Sequence, residues 1–455
     1  MASLRTVVKS ILGVKKTVVD DVQIHSDENG QATLEISLRA HKKWQCLCPK
    51  CMRKCPRYDT KTESRAWRAL DWGGMRVSLQ SKTWRVQCPE HGVITAWVPW
   101  ADCASRFTRN FDFTVAWLAK HIPRSAVSEF MRIDWETVGR CVARTKDRLE
   151  PDSSARLNGL VRIGIDETSY KRGYKYITVI VNHDTNTLVW AHPGHGKEVL
   201  TKFFNLLTDE QKKSIRVVSG DGARWITDCV EQFLPNATRC LDSFHVVQWA
   251  MEALDKVRTQ AWRQALAAAK KTKEKQSKET GKDSAAALAV KKALDYASAI
   301  KGSAFALGKA PENLTELQKI KLEMIAATDK RLHRAYRLKE ELRLLLKCTT
   351  EEQAQGLLHH WTQWASRCRI PEFVELARKI KRHKTHILDT VREKLSNARV
   401  ESTNNRIKLI IRKAYGFRNV DNMISMAMLV CSPLRIPLPH RSSGALTCTV
   451  GVQAG

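Results

Sequence analysis

Two sets of side chains in this 455-residue chain have the types and spacing to do chemistry, and both are costly to assemble without a cation. The first set is soft. Cys48-Pro-Lys-Cys51 and Cys88-Pro-Glu-His91 are short turns separated by 36 residues. A turn of this kind offers two ligands to one ion while its amides support the thiolate charge, so the pair predicts a tetrahedral Zn²⁺ site of structural type. The fourth ligand is His91 or, if His91 is only a surface residue, one of the thiols Cys46, Cys55 and Cys103. The remaining cysteines, Cys141, Cys229, Cys240, Cys348, Cys368, Cys431 and Cys448, read as ordinary buried or surface thiols. An odd count of 13 in a large chain whose first 15 residues carry no long apolar run argues for reduced thiols over a disulfide framework.

The second set is hard. Asp166 ends the apolar run Val161-Arg-Ile-Gly-Ile165, and Asp221 ends Arg216-Val-Val-Ser-Gly220. One acid at a strand end is most often a turn or cap residue. Two of them, joined by a third, suit a phosphoryl-transfer site in which divalent cations separate the charges. Glu401, followed by Asn404 and Asn405 on a polar helix, is the candidate third acid. Glu167 adjoins Asp166, but alternation along a strand aims it at the opposite face. Trp361 and Trp364 have two readings, core packing or stacking on an unpaired base.

Several kinds of element must position these groups. Residues 4–40 alternate apolar and polar positions, with Asn29-Gly30 as a hairpin turn, which predicts a β-rich start. A further strand is expected over Arg76–Val86. From Thr108 the pattern becomes helical up to Pro123, then over Ser125–Met131 and, after Arg132-Ile133-Asp134, over Trp135–Leu149. Val127, Ile133, Val138 and Val142 can pack the last two of these into a helix-turn-helix, leaving Trp135, Glu136, Thr137 and Arg140 outward as DNA-binding residues. An ordinary helical hairpin is the alternative. Strands at 161–165, 176–182, 187–192, 215–219 and 237–241, with a helix over 223–233, predict an α/β sheet whose last strands are parallel. Lys/Glu/Ala/Leu-rich helices then run from about 250 to 385.

The balance of 77 Lys+Arg against 47 Asp+Glu leaves a net charge of +30, which a polyanion such as nucleic acid neutralises. No stretch approaches the roughly 20 apolar residues of a membrane span. Membrane embedding is therefore excluded, and a cytoplasmic location is expected.

Taken together, Gly164-Ile-Asp-Glu167, Ser219-Gly-Asp-Gly222, Leu241-Asp-Ser-Phe-His-Val246, Pro311-Glu-Asn-Leu-Thr-Glu316 and Val400-Glu-Ser-Thr-Asn-Asn-Arg-Ile-Lys408 through Ala414-Tyr-Gly-Phe-Arg-Asn419 resemble the ISL three family of insertion-sequence transposases, over residues 40 to 430. The resemblance implies a multidomain α/β protein with an RNase H-like DDE core and a large all-helical insertion, preceded by a zinc ribbon and a helix-turn-helix. The segments then run 1–43 (N-terminal, β-rich), 44–104 (zinc ribbon), 105–150 (helix-turn-helix), 158–250 (first part of the core), 251–385 (insertion), 386–432 (last part, with Glu401) and 433–455 (loose tail). It implies Asp166, Asp221 and Glu401 as catalytic ligands of Mg²⁺ (or Mn²⁺). The pair Asp242-x-x-His245 is similar to a motif that Mutator and hAT-like transposases carry beside the cut DNA, which puts Asp242 and His245 behind the metal ligands. Zn²⁺ on Cys48, Cys51, Cys88 and His91 fits the ribbon, although the family's second turn usually ends in Cys. The implied partners are double-stranded DNA, as terminal inverted repeats and as target, and further copies of the chain in a dimer or larger assembly on the nucleoid of a prokaryote. A DNA-binding regulator with an inactive core and a nuclease that cuts without joining are the rival readings.

Overall fold

The computed structural model describes residues 3–26, 30–59, 63–278, 284–395 and 398–440. The chain divides into two units, Met1–Ser153 with Arg406–Gly455, and Ser154–Asn405.

The first unit begins with a helix where strand-like alternation is expected. Helix α1 (Leu4–Leu12) is capped by Ser3, whose hydroxyl accepts from Thr6 N–H, and is closed by Gly13 at φ 61°. The alternation is realised only in β1 (Thr17–Ser26) and β2 (Ala32–Ala40), which pair antiparallel. Asn29 of the expected turn lies outside the described residues. Strands β3 (Glu63–Arg68) and β4 (Arg76–Thr83) complete a sheet of order β1-β2-β4-β3, with β2 and β4 parallel, so strands from both sides of residue 43 share one sheet. Trp67 and Trp100, edge to face at 5.4 Å, fill its core. The strand expected over Arg76–Val86 breaks at Trp84, after which β5 (Arg85–Cys88) pairs with β6 (Gly92–Thr95) as a separate ribbon.

Three helices follow, α2 (Arg109–His121), α3 (Arg124–Met131) and α4 (Trp135–Leu149). Thr108 caps α2, and the residue before Pro123 is held extended, which stops that helix. Arg132 takes a left-handed conformation, φ 52°, and turns the chain from α3 into α4. Phe111, Val115, Val127, Met131, Val138 and Cys141 form the shared core.

The second unit holds β7 (Arg162–Lys171), β8 (Lys175–Asn182), β9 (Thr187–Pro193), α5 (Lys197–Leu206), α6 (Asp209–Ser214), β10 (Val217–Gly220), α7 (Arg224–Phe233) and β11 (Thr238–Leu241). The sheet order is β11-β10-β7-β8-β9, antiparallel on the β8 side and parallel on the β10 side. Ile163, Ile165, Ile180 and Val218 pack against Leu200, Phe203, Phe204, Ile226 and Val230. Each such side chain contributes about 1.5–3 kcal/mol of burial. The strand expected to end at Ile165 runs on to Lys171, so Asp166 lies in the middle of β7, and the parallel register, Ser219 opposite Gly164, sets the end of β10 and Asp221 just beyond it beside that middle.

A helical body follows, α8 (Ser243–Lys278), α9 (Ser284–Lys301), α10 (Ala304–Gly308), α11 (Glu316–Thr328), α12 (Lys330–Leu345), α13 (Glu351–Arg367), α14 (Pro371–Arg382) and α15 (Lys384–Arg392), with no strand among its described residues. Trp361 is buried in this body, its indole donating to Leu338 O at 2.8 Å, and Trp364 packs against the same core. Core packing is thus the role of Trp361. Helix α16 (Ala398–Lys413) contains the division between the units, and α17 (Val420–Val430) packs on α4 in the first. No helix of the described residues is long and apolar enough to cross a membrane.

Candidate functional site

The two cysteine turns have the same backbone device. Met52, just after Cys51, has φ 56°, and Gly92, just after His91, has φ 67°. This left-handed residue folds each turn so that both of its ligands aim inward. Cys48, Cys51, Cys88 and His91 offer atoms that all lie within 4.8 Å of one another. His91 Nδ1 is 3.5 Å from Cys88 Sγ and 3.7 Å from Cys48 Sγ, and Cys51 Sγ is 3.7 Å from Cys88 Sγ. Burial pushes the Cys88 thiol up, but hydrogen bonds from His91 and from the Glu90 and His91 amides bring it down to about 6. Cys55 lies in the same buried cluster, with its thiol donating to Arg53 O, outside the group of four. Cys103 donates to Thr95 O instead.

The acids are held differently. On β7 the alternating positions Gly164, Asp166 and Thr168 meet helix α16. A Cβ on Gly164 would stand 2.6 Å from Val400 Cγ2, so glycine is what lets the helix approach. Asn404 donates to Asp166 Oδ2, and its Oδ1 accepts from Thr168 at 3.0 Å. Glu401 lies on this helix between Val400 and Asn404 and is exposed. Asp166 Oδ1 also accepts from Glu167 N–H at 2.7 Å. Burial raises the Asp166 carboxyl above its usual range, the Glu167 amide and His245 oppose this, and Asp221 adds to it. Asp166, Asp221 and Glu401 do not form a group within 4.8 Å, as the four zinc-type ligands do.

Glu167 does face away, as strand alternation requires: its Oε1 accepts from Gly196 N–H at 3.0 Å, where α5 begins. Asp221 accepts from Ala223 N–H at 2.9 Å. Beneath it Arg239, buried in β11, donates to the Asp221 carbonyl, and desolvation brings its guanidinium down to about 10. Asp242 accepts from Phe244 N–H at 2.8 Å at the start of α8, with His245 Nε2 3.6 Å from its other oxygen. Asn404 as the tie between helix and strand, and Arg239 as the support of Asp221, were not assigned roles from sequence. An asparagine three residues after Glu401 and an arginine inside an apolar strand were the available signals.

In the helix-turn-helix, Glu136 and Arg140 are exposed and Trp135 is partly so. Thr137 is a correction: it is buried at 6% exposure, not outward. Helix α4 buries a second face because α17 covers it, so Gly139 is packed too, and a Cβ there would meet Arg124 Nη2 at 2.1 Å and Asn422 Nδ2 at 2.6 Å. Trp135 stacks under the guanidinium of Arg124 at 4.3 Å and near that of Arg418 at 5.7 Å.

Comparison with known proteins covers all of these parts. Residues 44–91 match the zinc finger of transposases of IS204, IS1001, IS1096 and IS1165, residues 98–145 the helix-turn-helix domain of transposase family ISL3, and residues 163–427 the family's domain described as transposase. The chain is 44% identical over 439 residues to the transposase for insertion sequence element IS1557 of Mycobacterium tuberculosis, in strains CDC 1551 and H37Rv, covering 95% of this chain and 97% of that one. It is 26% identical over 397 residues to the transposase for insertion sequence element IS1001 of Bordetella parapertussis, covering 86% and 90%.

Proposed function

We propose, from the premise that this chain belongs to the transposase family ISL3, that it binds the terminal inverted repeats of an insertion sequence, cuts the DNA there and joins the freed ends to a target. In this reading the second unit is an RNase H-like core interrupted by the helical body, and Asp166, Asp221 and Glu401 are its catalytic acids. The observation that carries it is the docking of α16 on β7 through Asn404, which ties a helix bearing an acid to Asp166 and to the buried Thr168 two residues further along the same strand. A central strand with antiparallel neighbours on one side and parallel ones on the other supports the same fold.

Three carboxylates are hard oxygen donors suited to Mg²⁺ or Mn²⁺, and an Asp166 carboxyl raised by burial and by Asp221 lacks positive charge. When bound, such ions supply activation of the attacking oxygen and charge stabilisation of the leaving one. The chain's own groups do the rest. Asn404 fixes the direction of Asp166, Arg239 anchors the backbone at Asp221, and Asp242 holds His245 on the side of Asp166. Water would attack phosphorus as the bond to the 3′-oxygen breaks, freeing a 3′-hydroxyl; that hydroxyl would attack a target phosphorus and displace its 3′-oxygen, so no covalent bond to the protein is required.

Cys48, Cys51, Cys88 and His91 would hold a structural Zn²⁺, since three thiolates and one imidazole match its preferred donors. Arg140 and Glu136, exposed on α4, are the residues proposed to meet DNA, with Trp135 held beside them, and further copies of the chain would assemble on the paired ends. The deciding test is single-turnover cleavage and strand transfer on a duplex carrying the element's terminal repeat with Mg²⁺, beside a binding measurement. Asp221→Asn is expected to bind and not cut. If it cuts at the parental rate, the assignment fails, and if the parent binds without cutting, the chain is a regulator.

A further inference from the structure

We propose that Lys379 is a substrate-contact residue of the cutting site: its ammonium, aimed by Trp249, grips a backbone phosphate of the DNA strand held against Asp221. The inference rests on the reading of Asp221 as part of that site. Lys379 lies on α14, in the helical body, yet its Nζ is 3.5 Å from the centre of the Trp249 ring. Trp249 belongs to α8 and its ring edge lies on the residue after Asp221. A Cβ on Gly222 would stand 2.6 Å from Trp249 Cη2 and 2.7 Å from Cζ2. His383, one turn beyond Lys379, leans on the same ring at 5.6 Å. Asp221, Gly222, Trp249 and Lys379 thus form one interlocked stack.

What points to a ligand is the charge state of that stack. Lys339, buried in the same helical body, is paired with Glu340. Lys379 is half-buried, and among the described residues no carboxylate lies within 4.0 Å of its ammonium. Burial draws its pKa below the usual lysine range while Glu252 and Asp221, farther off, pull it back. A cation on an aromatic face keeps part of its stabilisation and leaves its N–H donors free in the other directions. Beside a site that acts on phosphodiesters, the anion that completes such a lysine is a phosphate. Arg378, Lys381, Arg382 and Lys384 are exposed around it and extend the basic surface along the strand's path.

The test is single-turnover cleavage of a terminal-repeat duplex with Mg²⁺, using DNA with native linkages and DNA with one neutral methylphosphonate moved through the linkages flanking the cut. Lys379→Ala and Lys379→Gln should cut about 10- to 100-fold more slowly, and Lys379→Arg should stay within about 3-fold of the parent. One methylphosphonate position should slow the parent by a similar factor and slow Lys379→Ala no further. If every position slows both proteins equally, or if Lys379→Ala cuts at the parental rate, the inference is overturned. Should the alanine variant melt much lower than the parent, the same scan is read on Lys379→Gln; a loss that follows melting and is not rescued by arginine also overturns it. Asp221→Asn in the same assay keeps the two readings apart: an inactive Asp221→Asn with an unaffected Lys379→Ala removes Lys379 alone.

Discussion

The two ligand sets of this protein are built on opposite plans. Cys48, Cys51, Cys88 and His91 converge within 4.8 Å on two turns that share one left-handed device, whereas Asp166 sits on β7, Asp221 just past β10 and Glu401 on α16, and the three do not converge so closely. Thiols and imidazole can be neutral, so they can crowd before an ion arrives. Carboxylates at neutral pH repel one another, and here Asp166 and Asp221 are each turned to separate donors, Asn404 with the Glu167 amide for the first and the Ala223 amide for the second. The compact set is therefore complete in the fold itself, while the set proposed to do chemistry stands open.

The largest effect should come from the convergent set. Cys48→Ser or Cys88→Ser should lower bound zinc to below about a tenth of an ion per chain and unfold the ribbon, since such sites contribute on the order of 10–16 kcal/mol. Metal analysis with a melting curve reads this, and a metal-free protein with parental melting would refute it. Next, Asp166→Asn, Asp221→Asn and Glu401→Gln should each slow cleavage by roughly 10³-fold or more without loss of fold. A variant that cuts normally leaves the triad.

A subtler contrast concerns stability. Burial raises the Asp166 pKa in the folded chain, so ionisation costs folding free energy at neutral pH, and this cost disappears below the ordinary value of 3.8. Without divalent metal, Asp166→Asn should melt about 2–4 °C above the parent at pH 7, with the gap closing as pH falls toward 4. A constant gap would mean that packing, not charge, causes it. For the helix-turn-helix, Gly139→Ala should cost about 1–3 kcal/mol of stability because Arg124 and Asn422 leave no room. Arg140→Ala should leave melting unchanged and weaken repeat binding by only about 1 kcal/mol. Equal melting of the Gly139 variant and the parent would show that α17 yields.

Legibility followed sequence distance. The knuckles could be read because each pair of ligands is local, whereas Asp166, within β7, and Glu401, on α16, meet their surroundings only through the fold. A polar threonine at a helix start suggests an outward residue, but Thr137 stands one turn before Cys141 and two before Thr145, on the face that α4 turns to α2, while α17 covers Gly139. Alternation suggests a strand at Leu4–Leu12, but capping by Ser3 and Gly13 outweighs it in so short a segment and makes it a helix. Arg239, Trp249 and Lys379 became visible only when the fold brought them beside Asp221. Nothing in their local spacing announces it.

The contact between Asn404 and Asp166 spans 238 residues of chain. During synthesis at about 5–20 residues per second, β7 emerges first and waits roughly 10–50 s for its helix. Throughout that interval the young sheet has no Asn404 to hold Asp166 and Thr168 and no Val400 to cover Gly164, so a helix made near the end of synthesis sets the moment at which its oldest strand is finished.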